Sequence, residues 1–303
     1  MSSAPSPAEP RPRTVILWVH PRSTSTMFEC CMLNKQDEFR VLHEPMGDAF
    51  YFGPERVSNR YTPECCDKEY PQFKDSTFAK VWGNMVDATT EGPSRTFSKD
   101  MAQYIFNQAR STNVTSVPSL TSEGGDNDNS SLIPTALLTD PTVHHTFLIR
   151  HPSKAVPSYE RLCYPGSETG FDYFDPEEAG YRELRMLFDV VRESNKRQGR
   201  PAPLLIESEE LLKNPKDVMK LWCDDCGIDF DENMLTWNEG TREHFAKWPG
   251  FHTSAEQSKG VGQVSHRNVE PVKEENVEKV DQCIQQAMAD YDYLRGFAKG
   301  PSV

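Results

Sequence analysis

An apolar hexapeptide that runs directly into a hydroxyl-rich turn constrains the fold of this chain more than any other feature. Residues 14–19 read Thr-Val-Ile-Leu-Trp-Val, and residues 20–27 read His-Pro-Arg-Ser-Thr-Ser-Thr-Met. A continuous apolar run of this length is typical of a strand that is buried on both faces, as in a parallel sheet. A helix that begins straight after the turn directs unpaired N–H groups at one point, where the helix dipole favours an anion.

The side chains of this turn suit a phosphate or sulfate ester. Arg22 can bind two anionic oxygens at once. Hydroxyl donors follow it at four consecutive positions, namely Ser23, Thr24, Ser25 and Thr26. The motif G-x-x-x-x-G-K-[ST] is absent and no Lys precedes the Ser/Thr pair, which argues against ATP hydrolysis and against a kinase. The alternative is a Ser/Thr-rich turn that only caps the helix.

Apolar runs alternate with amphipathic segments along most of the chain. A second run ends in Arg150 and restarts as a helix after Pro152. The pattern predicts strands at 14–19, 39–43, 94–99, 145–150 and 203–207, and helices at about 26–35, 75–88, 101–109, 153–162, 177–198, 215–226 and 272–290. This order predicts an α/β fold, a parallel sheet flanked by helices, with ligands at the carboxyl ends of the strands. The irregular, aromatic-rich residues 45–73 are predicted to form part of an acceptor pocket.

The two strand-turn-helix units together resemble the sulfotransferases that use 3′-phosphoadenosine 5′-phosphosulfate (PAPS). The first turn is similar to the P-R-S-G-[ST]-[ST] loop of the carbohydrate and tyrosylprotein branch, and residues 150–158 fit the motif R-[DH]-P-x-x-x-x-x-S. The resemblance implies a P-loop sulfotransferase-like fold, with PAPS as the donor. It also implies that the first loop, with Ser25 and Thr26, binds the 5′-phosphosulfate, and that Arg150 and Ser158 bind the 3′-phosphate.

Further fragments of the family pattern supply the catalytic predictions. The stretch Leu-His-Glu-Pro-Met at 42–46 resembles the family segment whose Glu is the catalytic base, which is Glu44 here. Glu44 directly follows a predicted strand, so its carboxylate should share a sheet edge with the loop and accept a proton from a hydroxyl or amine. The resemblance of Phe-Ser-Lys-Asp at 97–100 implies that Lys99, with Arg22, neutralises charge on the transferred group. A surface carboxylate and a solvated Lys are the plainer alternatives, and His43 and His20 are rival bases.

Three other positions extend or depart from the family pattern. Thr24 stands at the usual Gly of the loop, so the backbone there either avoids positive φ or is strained. Ser208 stands where the family usually has Tyr, in a segment, 204–215, that otherwise resembles it. Lys259, in Gln-Ser-Lys-Gly-Val-Gly, resembles the loop that closes over the 3′-phosphate in cytosolic sulfotransferases. A plain Gly-containing loop explains that stretch equally well.

Composition limits the partners that the chain can bind. A net charge of −13 disfavours nucleic acid and anionic membranes, so a polyanionic donor must be held by local positive charge from Arg22, Lys99, Arg150 and Lys259. Of the eight cysteines, Cys223-x-x-Cys226 is a lone pair with metal-like spacing and is predicted to pack in the core, so no metal is expected.

The chain is predicted to hold one domain over residues 13–299, after a disordered segment 1–12 and with a flexible insertion at 111–131. It has no apolar run of about 18 residues and no leader-like apolar region near its start, which favours a cytoplasmic location.

The leading hypothesis is a sulfotransferase that moves the sulfonate group of PAPS to a hydroxyl or amine of a small metabolite. Two alternatives stay open. The same fold could serve another phosphorylated donor or make a leaving group for elimination or cyclisation, and it could also belong to a non-catalytic nucleotide-binding protein. The sequence does not identify the acceptor or the oligomeric state.

Overall fold

The computed structural model describes residues 11–87, 92–107, 116–121, 129–237, 243–262 and 270–300. Its centre is one five-stranded sheet in the order β2-β3-β1-β4-β5, with every adjacent pair parallel. The strands are β1 Thr14–Val19, β2 Phe39–His43, β3 Arg95–Met101, β4 Val143–Ile149 and β5 Leu205–Glu207. The predicted α/β class with a parallel sheet is confirmed. Strand β1 lies in the middle of the sheet and is buried along its whole length, which explains its unbroken apolar sequence.

Helices connect the strands and cover the sheet. They are α1 Ser25–Leu33, α2 Pro63–Glu69, α3 Phe78–Val86, α4 Thr135–Leu138, α5 Pro152–Glu160, α6 Tyr181–Arg197, α7 Ser208–Lys213, α8 Pro215–Cys226, α9 Thr253–Glu256 and α10 Val277–Arg295. None of the helices in the described residues is both long and apolar enough to cross a membrane.

Strand β4 shows that the core extends to both faces of the sheet. Neighbouring residues on a strand point to opposite faces. The Thr146 hydroxyl accepts a hydrogen bond of 3.0 Å from Trp222 on α8, whereas the ring of Phe147 packs edge-on against Phe188 on α6, with centroids 5.2 Å apart. Trp222 also meets Phe28 on α1 at 4.8 Å, so α1 and α8 form one helical layer.

The strand order brings the sequence motifs to one edge of the sheet. Strand β3 lies between β2 and β1, so Lys99 is in register with His43 on one side and with Leu17 on the other. The loop after β1, Glu44 after β2 and Arg150 after β4 therefore emerge at the same carboxyl edge. This is the place where open parallel sheets bind ligands.

Two predicted segments differ from the structure. The helix predicted at 101–109 is wrong, because β3 continues to Met101 and a single 3-10 turn, Ala102–Ile105, follows it. The region 45–73 is not irregular throughout. It contains a π-helical turn, Asp48–Phe52, which buries three aromatic side chains. It also contains α2, which starts at Pro63 and is capped by the side chain of Thr62.

The predicted flexible insertion is described only in part. Residues 111–115 and 122–128 lie outside the described residues, as does most of the predicted N-terminal segment. Residues 116–121 pack on the domain, because Val117 is buried and Ser119 donates two hydrogen bonds of 2.6 Å to the carboxylate of Glu55.

Candidate active site

Three residues with left-handed backbone conformation surround one cavity. Within the described residues, the only non-glycine residues at positive φ are Arg22 at 62°, Thr24 at 74° and Glu44 at 46°. All three line a cavity of about 230 Å³ at the carboxyl edge of the sheet. Such conformations are strained for residues with a Cβ and persist where the surrounding structure enforces them, which is typical of functional sites.

The sequence left two possibilities for Thr24, a backbone that avoids positive φ and a strained backbone at positive φ. The structure has the second, with φ at 74°. The Thr24 hydroxyl lies 2.6 Å from the Ser208 hydroxyl, which is fully buried at the start of α7. This contact ties the loop to the helix after β5 and helps to hold Thr24 at positive φ. Ser208, at the position where the resemblance to sulfotransferases predicts Tyr, is therefore part of the loop support.

Two guanidinium groups form the positive end of the cavity. Arg22 Nε donates to Ser158 Oγ at 3.0 Å, Arg22 also donates to the Phe251 carbonyl, and Arg150 donates to the Arg22 carbonyl at 3.0 Å. Burial and the charge of Arg150 lower the pKa of Arg22 to about 10, so it stays charged at neutral pH. In the described part of the chain these two groups donate to neutral oxygens and form no salt bridge, which leaves their charge for an anion.

His20 supports this end from behind. Its Nε2 accepts a hydrogen bond of 3.0 Å from the Arg150 backbone N–H, and its ring lies 4.0 Å from that of Tyr181. Burial lowers the pKa of His20 to about 3, so the ring is neutral and its Nε2 is free to accept. His20 does not line the cavity.

Glu44 forms the negative group of the cavity. Lys99 donates to Glu44 Oε1, and the Tyr104 hydroxyl lies 3.4 Å from Oε2. Burial raises the pKa of Glu44, but the charge of Lys99 outweighs burial and holds the pKa below its usual value. Lys99 itself is fully buried and lies outside the cavity lining, so it contacts Glu44 from the protein side.

A buried carboxylate that the sequence analysis missed lies behind this pair. Glu29 on α1 is wholly buried, and its carboxylate lies 2.9 Å from His43 Nδ1, 2.7 Å from His244 Nε2 and 3.4 Å from Lys99 Nζ. Burial opposes ionisation of Glu29, but the charge of Lys99 and the hydrogen bonds from His43 and His244 outweigh it and hold the pKa of Glu29 well below its usual value. The signal in the sequence was a lone acidic residue within an otherwise apolar helix.

A pair of histidines connects Glu29 to the loop after β1. His43 Nε2 lies 3.1 Å from His252 Nε2, and His252 Nδ1 lies 2.9 Å from the Thr26 hydroxyl. Both rings are buried. Burial lowers the pKa of both His43 and His252, so both are neutral.

The same groups are spaced closely enough to be metal ligands. Ligand atoms of Glu29, His43 and His244, and those of His43, Glu44 and His252, lie within 4.8 Å of one another. The Lys99 ammonium lies among them and contacts both carboxylates, so it opposes a divalent cation at this place. The contacts are those of a hydrogen-bonded cluster, and we assign no metal to it.

Aromatic side chains line the rest of the cavity. They are Tyr51, Tyr104, Tyr159, Phe171, Trp248 and Phe251. Tyr51 comes from the 45–73 region that was predicted to form part of an acceptor pocket. Both Cys223 and Cys226 are buried in the core without a disulfide.

Most of the predicted site residues meet in this cavity. The lining includes Arg22, Thr24, Ser25, Thr26, Glu44, Arg150 and Ser158. Ser23 is buried beside the cavity, and its hydroxyl has no hydrogen-bond partner within the described residues. Lys259 lies apart: its side chain is exposed, and its carbonyl accepts a hydrogen bond of 3.2 Å from Trp237 N.

Sequence similarity relates the chain to a sulfotransferase and to plant proteins. No protein-family model matches the chain. The chain is 27% identical over 211 residues to the sulfotransferase ppzF of Metarhizium majus, which covers 60% of this chain and 61% of that protein. The resemblance to sulfotransferases is confirmed. The chain is also 30% identical over 117 residues to branched-chain-amino-acid aminotransferase-like protein 1 of Arabidopsis thaliana.

The matched segments are short relative to the plant proteins. The match covers 38% of this chain and 19% of the first plant relative, so the chain spans less than a fifth of that protein. Among solved structures, the sulfotransferase domain of the curacin biosynthetic pathway matches at a TM-score of 0.48 and 12% identity, over 96% of this chain and 99% of that one. Retinol dehydratase in a complex with retinol and PAP matches at a TM-score of 0.39 and 16% identity. That match covers 93% of this chain and 82% of the dehydratase chain.

Proposed function

We propose that this sulfotransferase-like protein transfers the sulfonate group of PAPS to a hydroxyl or amine of a small molecule, with Glu44 as the general base. One observation carries the proposal. A single cavity is lined by two guanidinium groups that form no salt bridge within the described residues, by a strained hydroxyl loop, and by a buried, ionised carboxylate. An anionic donor and a neutral acceptor can therefore meet inside it.

The positive end suits the two anionic groups of PAPS. Ser25, Thr26 and the N–H groups that begin α1 are assigned to the 5′-phosphosulfate, where the helix dipole adds to the attraction. Arg150 and Ser158 are assigned to the 3′-phosphate, and Arg22 lies between the two sites, since it bonds to Ser158 and belongs to the loop. Lys259 can take part only by moving inward from its exposed position.

The negative end suits removal of a proton. As the acceptor oxygen attacks sulfur, its proton passes to Glu44, the bond between sulfur and the phosphate oxygen breaks, and adenosine 3′,5′-bisphosphate (PAP) leaves. Glu44 is ionised at neutral pH and therefore free to accept that proton. Lys99 acts through Glu44, because it orients the carboxylate and keeps it charged. Arg22 stabilises the charge on the transferred group.

The lining favours an apolar acceptor with a ring and a further polar group. Six aromatic side chains line the cavity together with Glu44, and the Tyr104 hydroxyl lies 3.4 Å from Glu44 Oε2. Within the described residues, Trp248 Nε1 and Gln103 Oε1 are buried and have no hydrogen-bond partner. An acceptor that pairs with either group gains affinity, because an unpaired buried polar group is costly.

Ligand-dependent stability tests the donor. PAP binds the folded state selectively and should raise the thermal midpoint, whereas AMP, which lacks the 3′-phosphate, should raise it much less. Thermal unfolding is followed with each nucleotide at the same concentration, with ATP as a further comparison. Equal shifts from AMP and PAP would remove the 3′-phosphate site and with it the choice of PAPS.

A further inference from the structure

Buried hydrogen bonds connect Glu29 to His43, His43 to His252, and His252 to Thr26 in the loop after β1. In each of these bonds the donor and the acceptor can be assigned. The Glu29 carboxylate is ionised and can only accept, so His43 must donate from Nδ1, at 2.9 Å. A neutral His43 then has a lone pair on Nε2. The contact of 3.1 Å between His43 and His252 requires one donor, so the hydrogen belongs to His252 Nε2.

The same reasoning determines the hydrogen bond of the Thr26 hydroxyl. A neutral His252 that donates from Nε2 has a lone pair on Nδ1, and this atom lies 2.9 Å from Thr26 Oγ1. The Thr26 hydroxyl must therefore donate to His252. Thr26 also lines the cavity, and in this state it presents only lone pairs to it.

This orientation is wrong for binding an anion. The oxygens of a phosphosulfate accept hydrogen bonds, so they repel the lone pairs of a hydroxyl whose hydrogen points away. A proton added to His252 Nδ1 reverses the last hydrogen bond, because His252 then donates to Thr26 Oγ1. The hydroxyl hydrogen of Thr26 is released toward the cavity and can be donated to the anion.

We propose that binding of the donor draws one proton from solvent onto His252, which turns the Thr26 hydroxyl into a hydrogen-bond donor to the bound anion. His252 is thus a positioning residue. The inference rests on the proposed function, since it requires an anion at the loop. The proton comes from water or buffer, and it returns there when PAP leaves.

The charged groups around His252 are consistent with proton uptake only when the anion is bound. Burial lowers the pKa of His252, and the charges of Lys99 and Arg22 lower it further, whereas Glu29 raises it. The Glu44 carboxylate also lies within 4.8 Å of His252, and His43, which faces the ring, is neutral. Phe245 packs against the ring and carries no charge. An anion bound at the loop neutralises Arg22 and adds negative charge beside Thr26, so it favours the charged form of His252.

Calorimetry of PAP binding in buffers of different ionisation enthalpy measures the protons taken up. At any one pH we expect the wild-type chain to take up more protons per PAP than His252→Gln, and we expect this difference to grow as the pH falls from about 8 to about 6. Thr26→Ser should keep this uptake. Thr26→Val should lose most of it, because the added N–H of His252 would have no acceptor.

His244→Gln is the matched control. His244 also bonds to Glu29, at 2.7 Å, but it is not on the path to Thr26, so this variant should take up protons as the wild type does. Equal proton uptake by the wild type, Thr26→Val and His252→Gln, with PAP bound in each, would overturn the inference and leave the proposed function intact. If His252→Gln does not fold, the proton uptake of Thr26→Ser is compared with that of Thr26→Val. Equal uptake by these two variants would overturn the inference. No binding of PAP to the wild type would contradict both.

Discussion

At the scale of single residues, Glu44 meets the requirements of a general base. It lines the cavity, it is ionised at neutral pH, and its two oxygens are oriented by Lys99 and Tyr104. Its backbone is held at a positive φ by the structure around it, including a hydrogen bond of 2.9 Å from its N–H to the Lys99 carbonyl. A carboxylate that only capped a helix or faced solvent would need none of this support.

The substitution Glu44→Gln separates catalysis from binding. The amide keeps the shape of the side chain and can still accept a hydrogen bond from Lys99, but it cannot take up a proton, so turnover should fall by about 10²–10⁴ while PAP affinity survives. Steady-state rates and calorimetry on the same preparations measure the two quantities. Asp48→Asn is the control, since it removes a neighbouring charge that does not line the cavity and should keep most of the turnover.

The alternative bases give the contrary result. Normal turnover in Glu44→Gln would show that Glu44 is not the base, and loss of turnover in His43→Ala with PAP affinity retained would assign that role to a histidine. His20 does not line the cavity and supports Arg150, so loss of turnover in His20→Ala together with PAP affinity would assign His20 a structural role. Loss of PAP binding in Glu44→Gln would instead assign this carboxylate a structural role in holding the loop.

At the scale of elements, the binding site consists of two strand-turn-helix units that support each other. The loop after β1 and the turn after β4 exchange hydrogen bonds through Arg22, Ser158 and Arg150. The turn after β4 is also fixed by its backbone, since the Arg150 N–H and carbonyl bond to His20 and Tyr181. The side chain of Arg150 can therefore be changed without loss of the turn.

Arg150→Ala tests this separation. PAP affinity should fall by about 2–4 kcal/mol, the usual loss when a charge-assisted phosphate contact is removed, and the fold should persist. The PAP affinity of Arg150→Lys should lie between those of the wild type and Arg150→Ala, because Lys keeps the positive charge but lacks the planar guanidinium group. Arg182→Ala, an exposed arginine on α6, is the control. Unchanged affinity in a folded Arg150→Ala would place the 3′-phosphate elsewhere.

At the scale of the whole molecule, several neutral histidines are buried in the folded state. His145 accepts a hydrogen bond of 2.8 Å from Trp18 Nε1 and contacts the Leu138 carbonyl, while His20 supports the Arg150 turn. Burial lowers the pKa of His145 to about 4 and that of His20 to about 3. In the unfolded chain these groups titrate near 6.5.

The free energy of unfolding should therefore fall as the pH drops below about 6.5, which is above the pH range in which carboxylates titrate. Below pH 6.5 the unfolded chain binds protons that the folded chain does not, so each of these histidines lowers the free energy of unfolding by about 1.4 kcal/mol per pH unit until its folded pKa is reached. Urea unfolding between pH 7.5 and 5 measures the slope. His145→Gln should reduce that slope, and a free energy of unfolding that is constant over this range would contradict the account.

The sequence by itself determined the sheet, the hydroxyl-rich loop after β1 and the position of Glu44. Each of these is encoded locally, because an apolar run, the turn after it and the start of a helix lie within about fifteen residues, and parallel strands align their carboxyl ends. Strands β1 and β2 and helix α8 were accordingly predicted at their observed limits.

Only the tertiary structure decided which groups surround these motifs. His43 and His252 are 209 residues apart and Glu29 has no distinctive neighbours in the sequence, so neither periodicity nor spacing could place them together. The position of Lys99 behind Glu44 and the aromatic wall of the cavity likewise depend on how distant segments pack. Local sequence thus determined the binding edge, whereas long-range packing determined its ionisation states and its shape.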